Sequence, residues 1–150
     1  MDHQIRPVHR SDVQSITTCV IAAYEHYTAR IGKPPGPMLD DYAAIIEQHL
    51  VWVVCHGEHV VGLVVLIEQE DGILLDNVAV HPEYQGQGIG GQLMGFAEKK
   101  ALALGYQELE LYTHVKMTEN IEIYRKLGYV EVERRIERGY ERVYMCKRLI

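Results

Sequence analysis

The stretch from Leu74 to Gly91 constrains the fold of this chain more than any other. Apolar residues run to Val80, Pro82 opens a turn, glycines crowd positions 86 to 91, and apolar residues at helical spacing follow. The pattern predicts a strand, a turn, a glycine-rich loop and a helix in immediate succession. Such a loop leaves several backbone N–H groups unpaired at the positive end of the helix, where an anion is favoured. Glycine there lets the main chain approach a phosphate that a Cβ would hold away. The first inference is a site for a phosphate-bearing ligand.

Gly86, Gly88 and Gly91 satisfy G-x-G-x-x-G, and Glu108 and Glu110 lie about 20 positions on, as a dinucleotide fingerprint wants. A dinucleotide-binding oxidoreductase is therefore one reading. A Rossmann unit, however, opens a run of alternating strands and helices. Here the loop lies past mid-chain, after segments that read as strands joined by short turns. Gln92 and Leu93 follow the last glycine, where a nucleoside-triphosphate loop needs Lys and Ser or Thr.

The same residues fit another pattern better. Gln85-x-x-Gly88-x-Gly90, directly after Val78-Ala79-Val80-x-Pro82-Glu83-Tyr84, resembles the acetyl-CoA loop of the GNAT acetyltransferase superfamily. A second block, Ile121 to Val130, resembles that family's late helix and following strand. The two blocks and the elements between them cover roughly the C-terminal half. The resemblance implies a GNAT-type fold and an acetyl-CoA-dependent N-acetyltransferase that passes an acetyl group directly to a primary amine of a small molecule or peptide. It equally leaves open a CoA-binding or sensing module with weak or no catalysis. Because late strands in this family frequently pair between subunits, a homodimer is also within its implications.

Composition narrows the setting. At 150 residues, the chain is expected to form one domain spanning residues 1–150, large enough for a hydrophobic core. The longest apolar run, Val60 to Ile67, is far too short to span a bilayer, so no membrane partner is expected. No basic and apolar leader opens the sequence, and Cys19, Cys55 and Cys146 form an odd set without CxxC spacing. Buried, reduced thiols in a cytoplasm are the simplest expectation. A net charge of −6 argues against nucleic acid and mildly favours a cationic acceptor. The eight histidines form no metal-ligand cluster, so no metal is expected.

Along the chain, Gln4 to Val8 reads as a strand, and Ser11 and Asp12 offer an N-cap for a helix running towards Tyr27. Gly32 to Pro37 breaks that helix. A second begins at Leu39-Asp40-Asp41 and sets Tyr42, Ile45, Ile46 and Leu50 on one face. Strands follow over Val51–Cys55, Val60–Ile67 and Ile73–Val80, then the helix after the glycine loop and a strand from Glu108 to Tyr112. Thr118 is read as the cap of a short helix through Leu127, and Tyr129–Arg134 and Arg142–Leu149 as a final strand pair. The expected fold class is α/β: a mixed, mostly antiparallel sheet flanked by helices, with one βαβ crossover.

The resemblance then implies roles. Val78, Ala79 and Val80 would hold the pantetheine and acetyl group by their backbone, and Gly86, Gln87, Gly88, Ile89, Gly90 and Gly91 the pyrophosphate. Tyr124 matches the position that gives a proton to the departing thiolate, a role suited to a phenol of pKa ~10. Two departures stand out. Met117 occupies a position where the family often has Asn, and Tyr112 one where related enzymes often have Glu. Asn120 is read as an ordinary first-turn residue. Asp76, on the strand entering the site, is the first choice of general base, ahead of Glu110 and His114, with a water chain as the other route. Tyr24, Tyr27, the Pro34–Met38 loop and Tyr42 are candidates for the acceptor wall.

Overall fold

The two long strands at the centre of the chain have no polar face. In the computed structural model, which describes residues 3–150, Val53, Leu63 and Val65 turn to one side of the sheet while Val54, Val64 and Leu66 turn to the other, all fully buried. A strand buried on both faces needs helices above and below it.

The sheet has seven strands: β1 (Ile5–Pro7), β2 (Leu50–His56), β3 (His59–Gln69), β4 (Gly72–Val80), β5 (Glu108–His114), β6 (Val130–Glu137) and β7 (Tyr140–Arg148). Their spatial order is β1-β2-β3-β4-β5-β7-β6. Only β4 and β5 run parallel, joined by the crossover expected from the sequence. Five α-helices flank the sheet: α1 (Val13–Tyr24), α2 (Thr28–Ile31), α3 (Tyr42–Gln48), α4 (Ile89–Ala103) and α5 (Thr118–Lys126). Ile16, Cys19 and Val20 of α1 and Tyr42 of α3 close one face, and Ile89, Leu93, Ala97 and Ala101 of α4 close the other. Gly62 allows this second packing, since a Cβ there would lie 2.9 Å from Ile89 Cγ2.

Several boundaries differ from those expected. The Asp12 carboxylate does cap, but it accepts the His9 N–H at 2.7 Å and so closes a 3₁₀ turn (Arg10–Asp12) ahead of α1, held in place by Arg6 at 2.9 Å. Leu50 belongs to β2 and not to the second helix, because His49 is already extended (φ −134°, ψ 175°). Thr118 is the first helical residue, with Met117 at the cap position. The last two strands run further towards each other than expected. Arg138 (φ 52°) and Gly139 (φ 80°) make a two-residue turn whose paired positive φ values match hairpin twist, with an arginine where Asn or Asp is the usual signal. Of the three thiols only Cys19 is buried. Cys55 and Cys146 are half-exposed and engage Arg6 (3.2 Å) and Glu108 (3.1 Å). No helix among the described residues is long and apolar enough to cross a membrane.

Candidate active site

Pairing between β4 and β5 stops almost as soon as it starts. Only Leu74↔Glu110 and Leu75↔Leu111 are in register, after which the two strands part while β5 stays paired to β7 as far as His114↔Arg142. The divergence coincides with a bulge. Val65 faces Asn77 across the β3–β4 ladder and Leu66 faces Leu75, so Asp76 is the extra residue. A bulge bends its strand and redirects the side chain it carries.

Beyond Asp76, one edge of β4 is free. In an antiparallel ladder, alternate residues turn their N–H and C=O towards the partner strand. The His81 N–H bonds the Val61 carbonyl at 2.8 Å, which sets the phase: Ala79 and Asn77 point into β3, Val78 and Val80 away from it. The Val80 carbonyl accepts from Gln85 Nε2 at 3.2 Å, and the Val78 carbonyl lies 3.1 Å from the Tyr24 hydroxyl. The outward N–H groups of Val78 and Val80 face the space between the parted strands.

That space is a cleft of about 560 Å³. The residues from Gly86 to α4 close one end. Gly86 (φ 82°) and Gly88 (φ 85°) occupy left-handed backbone, and the first hydrogen bond of α4 runs from the Gln92 N–H to the Gly88 carbonyl at 3.0 Å. The N–H groups of Gly88, Ile89, Gly90 and Gly91 therefore have no partner within the helix. A Cβ at Gly91 would meet nothing within 4 Å and one at Gly90 only Val80 at 3.8 Å, so the backbone here is open to a ligand. These N–H groups at the positive end of a fifteen-residue helix suit a pyrophosphate.

The opposite wall comes from α5, which presents Asn120, Ile123 and Tyr124, and from Leu127 just after it. Asn120 and Tyr124 are four residues apart and share a helix face. Burial pushes the Tyr124 phenol up to about 12, with Tyr27 adding to the shift, and among the described residues its hydroxyl has no hydrogen-bond partner. Met117, by contrast, is buried, and its sulfur receives Thr113 (3.5 Å) and Asn120 (3.7 Å).

Tyr24 lines both this cleft and a smaller, more enclosed pocket of about 40 Å³ beside it. Its hydroxyl donates to Asn77 Oδ1 at 2.8 Å, the Asn77 amide donates to Tyr42 at 3.1 Å, and Tyr42 donates to the Pro37 carbonyl at 2.6 Å. This chain of bonds ties the proline-rich segment to β4, with Tyr42 behind the wall and not on it. Asp76 lies in the smaller pocket together with Tyr112, His114, Tyr140 and Arg142. The Tyr112 hydroxyl donates to Asp76 Oδ1 at 2.9 Å. Burial raises the Asp76 carboxyl above the usual range, partly opposed by that bond and by Arg142. Burial likewise lowers His114, with Lys116 adding to the effect. Glu110 lies opposite Cys146 on β7 and lines neither space.

Val78, Ala79, Val80, Gly86, Gly88, Ile89, Gly90, Gly91 and Tyr124 thus line one cleft, Gln87 of the expected loop does not line it, and Asp76 lies in the neighbouring pocket that shares Tyr24 with it. Two residues were not anticipated from the sequence. Asn120 was legible, being one helical turn from Tyr124. Arg142 was not, because it reaches the site only through its pairing with His114.

Comparison with known proteins places the fold and the family. A model of the acetyltransferase (GNAT) domain matches residues 47–131. An uncharacterized N-acetyltransferase, YvbK of Bacillus subtilis, is 27% identical over 100 residues, which cover 66% of this chain and 63% of that protein. The chain thus spans less than two thirds of that relative's length. Among solved structures, a GCN5-related N-acetyltransferase from Rhodopseudomonas palustris superposes with a TM-score of 0.82 at 22% identity, covering 99% of this chain and 96% of its own. The PaiA N-acetyltransferase from Thermoplasma acidophilum, crystallised with coenzyme A, gives 0.80 at 19%, covering 99% of both. The matched domain covers more than half of the chain and includes the parted strand β4, the glycine loop and α5, and this chain belongs to the GNAT acetyltransferase domain family.

Proposed function

We propose that this protein is an acetyl-CoA-dependent N-acetyltransferase that passes the acetyl group directly to a primary amine. The observation that carries the reading is the parted β4–β5 pair, whose free edge, glycine loop and Tyr124 line one cleft. Acetyl-CoA supplies a thioester carbon open to attack by an amine.

The unpaired N–H groups from Gly88 to Gly91, with Gly86 and Gln87 at the approach, hold the pyrophosphate. Val78 and Val80 offer N–H groups along the free edge for the pantetheine amides and the thioester carbonyl, where a donor stabilises the charge that develops on oxygen. Ala79 supports them from within the ladder and lines the cleft by its side chain. Tyr124 stays protonated at neutral pH, and with no hydrogen-bond partner among the described residues its proton is available to the leaving thiolate. Asp76 takes the proton of the incoming amine. The position that relatives often give to a Glu is Tyr112 here, and its hydroxyl holds the Asp76 carboxylate from the neighbouring strand, so an acid is present at that level of the sheet by another route.

The test is CoA release from acetyl-CoA across a panel of amines, for the parent and for Tyr124→Phe. The reading expects turnover by the parent and a loss of about a hundredfold in kcat for the variant, with acetyl-CoA affinity unchanged. Equal turnover by the variant removes the proton-donor role. Acetyl-CoA binding without transfer to any amine replaces the enzyme by a binding module.

A further inference from the structure

The pocket beyond Tyr24 contains two opposite charges that the transfer reaction by itself does not need. Asp76 is one. Its Oδ1 accepts from Tyr112, and its other oxygen has no hydrogen bond among the described residues. Arg142 is the other. Its guanidinium carbon lies 4.4 Å from the Tyr112 ring centroid, its side chain is 16% exposed, and it is ion-paired with Glu137 at 3.3 Å, its one hydrogen bond by geometry among the described residues, with Tyr144 also acting on it. An arginine has five N–H donors, so most of this fork is uncommitted. Tyr140 and Gly36 border it on the remaining sides.

One side chain measures the gap between the two charges. Tyr112 has its hydroxyl on Asp76 and its ring face against Arg142. A ligand satisfying both must carry a cationic nitrogen and a planar anion only a few bonds apart. The pocket is closed in by Pro35, Pro37 and Tyr24, and about 40 Å³ leaves no room for a long or branched head group. The guanidinium fork matches a carboxylate in geometry, and burial strengthens the pairing.

Resting on the acetyltransferase reading, we infer that the acceptor is a small amino acid: an amine set against Asp76 whose neighbouring carboxylate is held by Arg142. The local charge adds a second requirement to the one drawn from the whole molecule. A net charge of −6 favours a cation in general, but an arginine in the acceptor pocket opposes a polyamine. Arg142, His49 and Arg138 all act on Asp76 through space and favour its charged form, and Asp40 in turn feels the charge of Asp76.

The experiment follows CoA release with saturating acetyl-CoA and three matched acceptor sets: free α-amino acids, the corresponding amino-acid amides, and polyamines. At least one small amino acid is expected to exceed its own amide in kcat/KM by roughly tenfold to a hundredfold, since a buried charged hydrogen bond is lost in the amide. Arg142→Gln is expected to erase that preference through KM, and Arg142→Lys to restore part of it. Both variants are expected to keep the parent's thermal shift with acetyl-CoA, which shows the fold and the cofactor cleft intact. Faster transfer to amides or polyamines overturns the inference while leaving the acetyltransferase reading standing, as does discrimination that survives Arg142→Gln. No response to acetyl-CoA at all overturns both.

Discussion

Asp76 is under two opposed demands. As an extra residue in a bulge, it is turned into a partly buried pocket, and burial raises its carboxyl above the ordinary 3.8. The folded chain therefore retains that proton at a pH where the unfolded chain has released it, so this group's contribution to stability falls as pH rises through the window above 3.8. Asp76→Asn removes the penalty. It is expected to raise the melting temperature at neutral pH while lowering kcat, and calorimetry beside a turnover assay checks both. The parent's kcat/KM is also expected to fall on the acid side with a midpoint above 3.8, and a profile flat to pH 4 contradicts the base role. At this scale the sequence was legible where one strand or helix carries the geometry. Val78, Val80 and Tyr124 could be placed that way. The bulge that turns Asp76 into its pocket leaves no mark in the two-residue period, and its partners Tyr112 and Arg142 come from strands distant in sequence.

Two glycines separate what an element needs from what a ligand needs. Gly88 sits at φ 85° with nothing within 4 Å of a hypothetical Cβ. Gly88→Ala thus meets only backbone strain, of roughly 1–2 kcal/mol. It is expected to lower the melting temperature modestly and acetyl-CoA affinity measurably, because the N–H groups beside it shift. Gly62 has the reverse character, being buried under α4 with Ile89 Cγ2 2.9 Å from an added Cβ. Gly62→Ala is expected to cost about 1–3 kcal/mol by overpacking, read as a drop in denaturant midpoint. Element identity was plain in the sequence because its periods are strong: three central strands, the glycine loop and α4 fall where the pattern puts them. Boundaries were less so. Leu50 continues the apolar spacing of α3 yet begins β2, and the Arg138-Gly139 turn lacks the residues that announce a hairpin.

At the scale of the molecule, one arrangement accounts for both spaces. β1 to β4 form an antiparallel half backed by α1 and α3, β5 to β7 form the other, and α4 bridges the join. The halves share only two register pairs among the described residues, so the sheet opens along that seam, with Tyr24 lining both the cleft and the pocket proposed for the acceptor. The dinucleotide reading of the glycines fails on this topology, since the loop follows an antiparallel meander and not a Rossmann half. The most direct test of the account is a thermal-shift titration with acetyl-CoA, CoA, NAD and NADP. A ligand at about a hundredfold over its Kd adds about 2.7 kcal/mol, or roughly 5–10 °C for a chain of this size. A saturating rise is expected with acetyl-CoA and CoA and none with NAD or NADP. A rise with NAD alone, or none with acetyl-CoA, would contradict it.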